Sequence, residues 1–213
     1  MITSKPLNVA VFASGGGSNF EALAVKFKDS PSIGVSLCVS NRRTAGVLER
    51  AERLGIPALV ISPSQFTSEK EYVDALLSSL DEHGINFIAL AGYLKMIPSG
   101  LIDRYRNRIT NIHPSLLPAF GGKGMYGRRV HAAVLDAGVQ WTGATVHLVD
   151  EEYDTGPIVL QEPVPVGGAD TPEKLAARVL KVEHRIYPMA IELLQSSDFE
   201  IKGRRVIIAE HSG

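Results

Sequence analysis

The chain has 213 residues, 45% of them apolar and 21% charged, the proportions of a globular protein and not of a disordered one. Its 22 basic and 23 acidic side chains leave a formal net charge of −1, so no general nucleic-acid surface is expected. The single cysteine, Cys38, excludes an internal disulfide and every multi-cysteine metal site, and apolar runs such as residues 87–91 are far too short to cross a bilayer.

Residues 7–13 (LNVAVFA) read as a buried strand that runs into Ser14-Gly15-Gly16-Gly17-Ser18-Asn19. Residues 19–28 follow as an amphipathic helix, with Phe20, Leu23, Ala24 and Phe27 at helical spacing. A second strand spans 32–40, and a second helix spans 45–54, closed by Gly55 and Pro57. A short strand at 58–61 precedes a helix at 68–83 with Tyr72, Val73, Leu76, Leu77 and Leu80 on one face. Strands at 87–91 and 109–112 flank a helical segment near 101–105. This alternation argues for an α/β fold: a Rossmann-like, open, mostly parallel sheet with helices on both faces.

The second half is less regular. A glycine-rich loop at 119–127 precedes a short helix at 130–137, and strands are expected at 143–149 and 158–166. Asp170-Thr171-Pro172-Glu173 combines a cap, a first-turn proline and a carboxylate at the positive end of a helix. Leu175, Val179, Val182, Ile186 and Leu193 continue as an apolar stripe towards Gln195, with a kink expected at Pro188. A last strand is expected at 205–209. With no repeat and no low-complexity linker, residues 1–213 are expected to form one domain, divided at about residue 108 into a phosphate-binding half and a catalytic half. Residues 1–7 lack an apolar signal core, so a cytoplasmic location is expected.

Three segments carry chemistry. The first glycine cluster sits where a strand feeds a helix, so unblocked N–H groups and the helix dipole can meet an anion. No Gly-Lys-Ser/Thr follows, Phe20 stands where a dinucleotide fingerprint needs a small residue, and Asn41-Arg42-Arg43 replaces the acidic residue that would hold a ribose diol. A phosphate site is expected, a bare tight turn being the other reading. In Asn111-Ile112-His113-Pro114, side chains two apart on a strand share a face, and Pro114 keeps His113 extended. An amide donor beside an imidazole can stabilise an oxyanion and move a proton, while a buried polar pair would look the same. Asp150-Glu151-Glu152-Tyr153-Asp154 puts four carboxylates in five residues, a pattern usually of a solvated loop. A zinc site from His113, His147 and Asp154 is conceivable, although no metal-binding helix motif supports it. His83, His131 and His211 read as ordinary surface or helix-end residues, and Cys38 as core packing.

Taken together, these segments resemble the folate-dependent formyltransferase family, and within it the phosphoribosylglycinamide formyltransferases of purine synthesis. The matching pieces are residues 14–19, Ser40-Asn41-Arg42, Leu90-Ala91-Gly92-Tyr93, Asn111-Ile112-His113-Pro114-Ser115-Leu116-Leu117-Pro118, Asp154-Thr155-Gly156-Pro157 and Glu183-His184-Arg185-Ile186-Tyr187-Pro188. The Asn-x-His-Pro-Ser-x-Leu-Pro string is specific to folate formyltransferases and related hydrolases, and residues 121–127 narrow the match to the glycinamide ribonucleotide enzymes. Methionyl-tRNA formyltransferases carry a further C-terminal domain and formyltetrahydrofolate deformylases a further N-terminal one; 213 residues are expected to leave room for neither.

The resemblance implies that Asn111, His113 and Asp154 are catalytic, with a protonated His113 and Asn111 on the formyl oxygen and Asp154 orienting the imidazole. It implies that Gly17, Ser18 and Asn19 hold the phosphate of glycinamide ribonucleotide and that Glu183 reaches its ribose or glycinamide portion. The pterin of 10-formyltetrahydrofolate would lie against Leu94, Lys95, Met96 and Ile97, Asn111, and the loop Asp150, Glu151, Glu152, Tyr153 and Asp154. That folate is implied as formyl donor, with no metal; a monomer or homodimer is expected, with no nucleic-acid or membrane partner. Two departures stand out: Lys95 where the family commonly has Arg, losing the planar fork, and Glu69 where it can place a folate-contacting Arg, with Lys70 beside it. Residues 121–127 could serve as a mobile lid or as a passive connection. The alternatives carried forward are a 10-formyltetrahydrofolate hydrolase and a non-catalytic sugar-phosphate-binding module; an NADP-linked oxidoreductase fails on the glycine spacing.

Overall fold

Val9, Ala10, Val11 and Phe12 are completely buried, the signature of a strand covered on both faces, and they form the centre of a parallel array. The structure is a computed structural model describing residues 5–196 and 198–208. Its contacts divide the chain into two compact units, Lys5–Asn111 and the segment from Ile112 onward.

The first unit contains β1 (Leu7–Phe12), α1 (Ser18–Lys26), β2 (Ile33–Ser40), α2 (Val47–Arg53), β3 (Ala58–Val60), α3 (Glu69–Glu82), β4 (Phe87–Leu90) and α4 (Ser99–Arg104). It ends within β5 (Ile109–His113). The strands lie in the order β3-β2-β1-β4-β5, every neighbour parallel. The order reverses beside β1, where the chain has gone to β2 and β3 and returns on the other side as β4. Ligands of open α/β sheets bind at the carboxyl ends of strands at such a reversal. α3 starts where expected, because Ser68 Oγ accepts from the Glu71 N–H. Its Tyr72, Leu76 and Leu80 are buried, each worth about 1.5–3 kcal/mol on leaving water, while Val73 and Leu77 flank them half-buried. Cys38 lies inside β2, where burial pushes its thiol up to about 12, so it packs and does not react.

The second unit contains α5 (Arg128–Asp136), β6 (Trp141–Leu148), β7 (Ile158–Pro165), α6 (Pro172–Ser196), β8 (Phe199–Lys202) and β9 (Arg205–Ile208). β6 and β7 are antiparallel, β7 and β9 parallel, and β9 and β8 antiparallel. The entry to α6 is fixed by Asp170, which takes both prongs of the Arg178 guanidinium at 2.5 and 2.8 Å and also the Gly167 N–H.

The class is α/β with an open, mostly parallel sheet, as the alternation of elements requires. Differences from the sequence reading are local. α6 runs as one helix through the buried Pro188, as the stripe towards Gln195 implied. Its stripe continues through Ala190, Ile191 and Leu194, leaving Leu193 half-buried. A 3₁₀ turn at Pro63–Gln65 and strand β8 were not anticipated; β8 is four residues long and alternates half-buried with exposed, too little for a pattern. Of the strand expected at 205–209, Ala209 lies outside the described residues, as does His211.

Gly143 in β6 leaves no room for a side chain: a Cβ there would press on the Glu162 carbonyl and stand 2.6 Å from Leu116 Cδ2. Gly143→Ala is expected to cost about 1–3 kcal/mol of stability by overpacking, measured by urea denaturation. An unchanged midpoint would show that β7 and Leu116 yield freely.

Candidate active site

β5 ends on His113, and the residues that follow it are tied down by one hydroxyl. Thr145 Oγ1, fully buried in β6, donates to the Ser115 carbonyl at 2.6 Å and accepts from the Leu117 N–H at 3.1 Å and from Gln161 Nε2 at 2.9 Å. Gln161 Nε2 also donates to the Leu117 carbonyl, and Ser115 Oγ donates to the Ala119 carbonyl at 2.6 Å. One donor and two acceptor positions are thus all used, and the segment after Pro114 has a fixed path. That path brings the Phe120 carbonyl back to His113 Nε2, at 2.9 Å. A carbonyl only accepts, so Nε2 carries the proton and Nδ1 is left for a second partner.

The second partner is Asp154. Its Oδ2 lies 3.5 Å from His113 Nδ1, an ion-pair separation slightly longer than an ordinary hydrogen bond. Asp154 takes φ +58°, and Gly156 beside it passes so close to the Leu148 carbonyl that no Cβ would fit. Gly121 passes nearby, where a Cβ would meet the tip of the Leu117 side chain at 2.5 Å and Asp154 Cβ at 3.3 Å. The Gly122 N–H then donates to Asp154 Oδ2 at 2.8 Å. A third group joins from β6: His147 Nε2 stands 3.5 Å from Asp154 Oδ1, while its Nδ1 faces the Leu148 carbonyl at 2.8 Å.

The electrostatics follow from burial. Burial pushes the His113 pKa below its ordinary value, against the raising pull of Asp154 and of the Phe120 carbonyl; His147 adds to the lowering. Burial disfavours the Asp154 carboxylate too, but the His147 hydrogen bond, the charge of His113 and the Gly122 N–H outweigh it and hold its pKa below the ordinary value. Burial thus works against the charged ring that the resemblance implies, and the carboxylate of Asp154 works for it. Among the described residues no group of three His, Cys, Asp or Glu is arranged to hold a metal ion.

The remaining expected residues fall as follows. Asn111 is half-buried in β5, two residues before His113 and paired in register with Leu90 of β4. In the acidic loop Glu151, Glu152 and Tyr153 are exposed, and Asp150 Oδ1 is used within the turn by the Glu152 N–H and Thr155 Oγ1. Only Asp154 turns inward. Glu183 is buried in α6. His131, read from sequence as ordinary, is buried on α5 with an unpartnered Nδ1, and burial with the nearby His113 lowers its pKa. His83 caps the end of α3 and is exposed. Thr145 and Gln161 escaped the sequence reading, which brought His147 and Asp154 together only as part of a conceivable zinc site. The even spacing of Thr145 and His147 along β6 was the available signal, since residues two apart share a strand face.

In the first unit, Gly17 takes φ +77° and stands as the N-cap of α1 without a side-chain cap. A Cβ on it would meet Val47 Cγ2 at 2.5 Å, so only glycine lets the turn pass. Ser14 secures the approach: its N–H donates to the Gly92 carbonyl, its hydroxyl donates to Asn41 Oδ1 at 2.6 Å, and that hydroxyl accepts from the Leu94 N–H at 2.9 Å. Arg50 binds the Gly16 carbonyl and pairs, with Arg53, to Glu21. Leu94, Lys95 and Met96 are exposed and Ile97 is buried. Glu69 and Lys70 are both exposed, Lys70 bonding Asp74 at 2.6 Å.

The family profile described as formyl transferase matches residues 7–191, and the chain belongs to that family. A chloroplastic phosphoribosylglycinamide formyltransferase of Arabidopsis thaliana is 49% identical over 185 residues, 84% of this chain and 62% of that protein. The chain thus spans less than two thirds of that plant relative's length. The phosphoribosylglycinamide formyltransferase of Bacillus subtilis is 41% identical over 186 residues, 87% of this chain and 93% of that one. The crystal structure of glycinamide ribonucleotide transformylase 1 from Symbiobacterium toebii superposes with a TM-score of 0.89 at 39% identity, covering 96% of this chain and 95% of that one. Among the described residues no helix is long and apolar enough to cross a membrane.

The depressed pKa values have a thermodynamic consequence. His113 and His131 resist protonation in the fold, so their contribution to stability is whole above the unfolded-state value of 6.5 and is lost as pH falls below it towards the folded values. Melting temperature is expected to decline as pH falls from about 7 to 5, and less steeply in His131→Gln. Equal slopes for the two proteins would contradict the burial of an unpartnered His131.

Proposed function

We propose that the protein transfers the formyl group of 10-formyltetrahydrofolate to the amine of glycinamide ribonucleotide, giving formylglycinamide ribonucleotide and tetrahydrofolate in purine synthesis. The observation that carries this reading is the contact of Asp154 with His113, two residues along β5 from Asn111. It is supported by family membership and by the names of the relatives, which cover nearly all of this chain.

In this reading the substrate amine attacks the formyl carbon, forming the new C–N bond and moving charge onto the formyl oxygen. The Asn111 amide and the His113 ring stabilise that oxygen. Burial disfavours the charged ring, and the developing oxyanion and Asp154 together favour the imidazolium. The amine proton passes by way of the imidazole and water to N10 of the folate as the old C–N bond breaks. Asp154 holds the ring and balances its charge. Gly17, Ser18 and Asn19 would offer their N–H groups and the positive end of α1 to the substrate phosphate, and Glu183 would take the ribose or glycinamide portion. The pterin would rest on Leu94, Lys95, Met96 and Ile97, Asn111 and the loop from Asp150 to Asp154, a flat ring suiting aliphatic sides and main-chain hydrogen bonds. No step calls for a resident metal or redox cofactor.

The assay follows deformylated folate spectrally with and without glycinamide ribonucleotide. Amine-dependent product is expected; amine-independent product would point to a hydrolase, and none to a binding module. Asn111→Ala, His113→Ala and Asp154→Asn are each expected to lower kcat by about 10²–10⁴. Circular dichroism should remain that of the parent, and a fully active His113→Ala would refute the assignment.

A further inference from the structure

In a trans peptide the carbonyl and the N–H point opposite ways, so whatever holds a carbonyl also aims the N–H of the next residue. The turn after β1 has three of its carbonyls held. The Val47 N–H donates to the Gly15 carbonyl at 3.0 Å, Arg50 Nε to the Gly16 carbonyl at 2.7 Å, and the Glu21 N–H to the Gly17 carbonyl at 3.0 Å. The N–H groups aimed in consequence are those of Gly16, Gly17 and Ser18, and none of the three has a partner among the described residues. Successive free N–H groups of this kind form an anion-binding concavity. Two of the three holding bonds come from main chain. The third, on the Gly16–Gly17 peptide, comes from one side chain. With glycine on both sides, that peptide flips at little steric cost, and a flipped peptide would present a carbonyl where an N–H is needed. Arg50 is half-buried and is itself held, because its guanidinium pairs with Glu21 in the first turn of α1, as that of Arg53 does.

Resting on the reading that this turn takes the phosphate of the substrate, we propose that Arg50 is a positioning residue for it: through the Gly16 carbonyl it locks the Gly16–Gly17 peptide with its N–H towards the anion. Its task is orientation, not charge. The guanidinium is committed to Glu21, whose carboxylate in the first turn of α1 would otherwise repel a phosphate at that end. Arg53 pairs with the same carboxylate but makes no bond to the turn. The two arginines therefore separate the effects, with equal charge at one carboxylate and a main-chain bond from Arg50 alone. A turn set before its ligand arrives loses little freedom on binding it, and that preorganisation appears as affinity. The effect falls on phosphate binding and leaves the reacting groups at the end of β5 untouched.

The test titrates inorganic phosphate against the isotope-labelled chain and follows the amide resonances of Gly16, Gly17 and Ser18 by NMR. The parent is compared with Arg50→Met, Arg50→Gln and Arg53→Gln, all changes of partly exposed side chains whose circular dichroism should match the parent's. All three amides are expected to shift in the parent. Arg50→Met keeps the stem without a donor, and its phosphate Kd should rise roughly 10-fold. Arg50→Gln places an amide nitrogen where Arg50 has Nε, so it should recover most of that affinity despite the lost charge. Arg53→Gln, which loses the same charge, should bind as the parent does. In turnover, Arg50→Met should raise KM for glycinamide ribonucleotide by a similar factor and leave kcat and the folate KM unchanged. Equal weakening in Arg50→Met and Arg50→Gln, or in Arg50→Met and Arg53→Gln, would make the effect one of charge and overturn the proposal. A parent whose three amides ignore phosphate overturns it as well. The titration needs no turnover, so a parent chain that binds phosphate without transferring formyl would remove the functional reading and leave the role of Arg50 standing.

Discussion

A carboxylate buried between two imidazoles is the constraint around which the second unit is arranged. An ion taken out of water costs several kcal/mol unless its surroundings replace the lost solvation. Asp154 is compensated by His113, His147 and the Gly122 N–H, and each of those is in turn fixed by main chain. The arrangement needs glycine at 156, where the chain passes too close to the Leu148 carbonyl for any side chain, and a non-glycine residue in the left-handed region at 154. Strain of that kind persists where the rest of the structure over-determines it, and such places are commonly functional.

The same economy appears on the other side of His113. Thr145 uses every hydrogen-bonding position of its hydroxyl to hold the segment after Pro114, and that segment delivers the Phe120 carbonyl to the ring. The tautomer of His113 is thus decided by residues of β6 and β7, remote in sequence from the histidine itself. The Asn-x-His-Pro-Ser-x-Leu-Pro string is intelligible on these terms. Proline keeps His113 extended, the buried serine closes the turn on Ala119, and Leu117 presents both its N–H and its carbonyl to the β6–β7 polar network.

Elements with a physical period were legible in the sequence. β1 shows its burial as a run of apolar residues, α3 shows Ser68 and its apolar stripe, and α6 announces itself through Asp170, Thr171 and Pro172. β8 and the turn at Pro63–Gln65 were not legible, because four and three residues are too few to carry a period. α6 continues through Pro188 because a proline's cost is local, whereas the burial of its neighbours Ile186, Tyr187, Ala190 and Ile191 holds the helix together across it. At the site, Asn111 and His113 could be read from strand alternation, but their partner could not. Four carboxylates in one loop look alike in sequence; tertiary packing alone separates Asp154 from exposed Glu151 and Glu152. Its pairing with His113 came from family resemblance.

The central claim is that one imidazole–carboxylate pair, with the amide two residues away on the same strand, surrounds the carbonyl that reacts. A crystal structure of the protein with glycinamide ribonucleotide and a stable formyl-folate analogue, carbon replacing N10, tests it most directly. The account predicts the analogue's carbonyl oxygen within about 3 Å of the Asn111 amide and of a His113 ring nitrogen, Asp154 still on the opposite edge of that ring. A carbonyl seated away from both residues, with ligands otherwise fully bound, would contradict it.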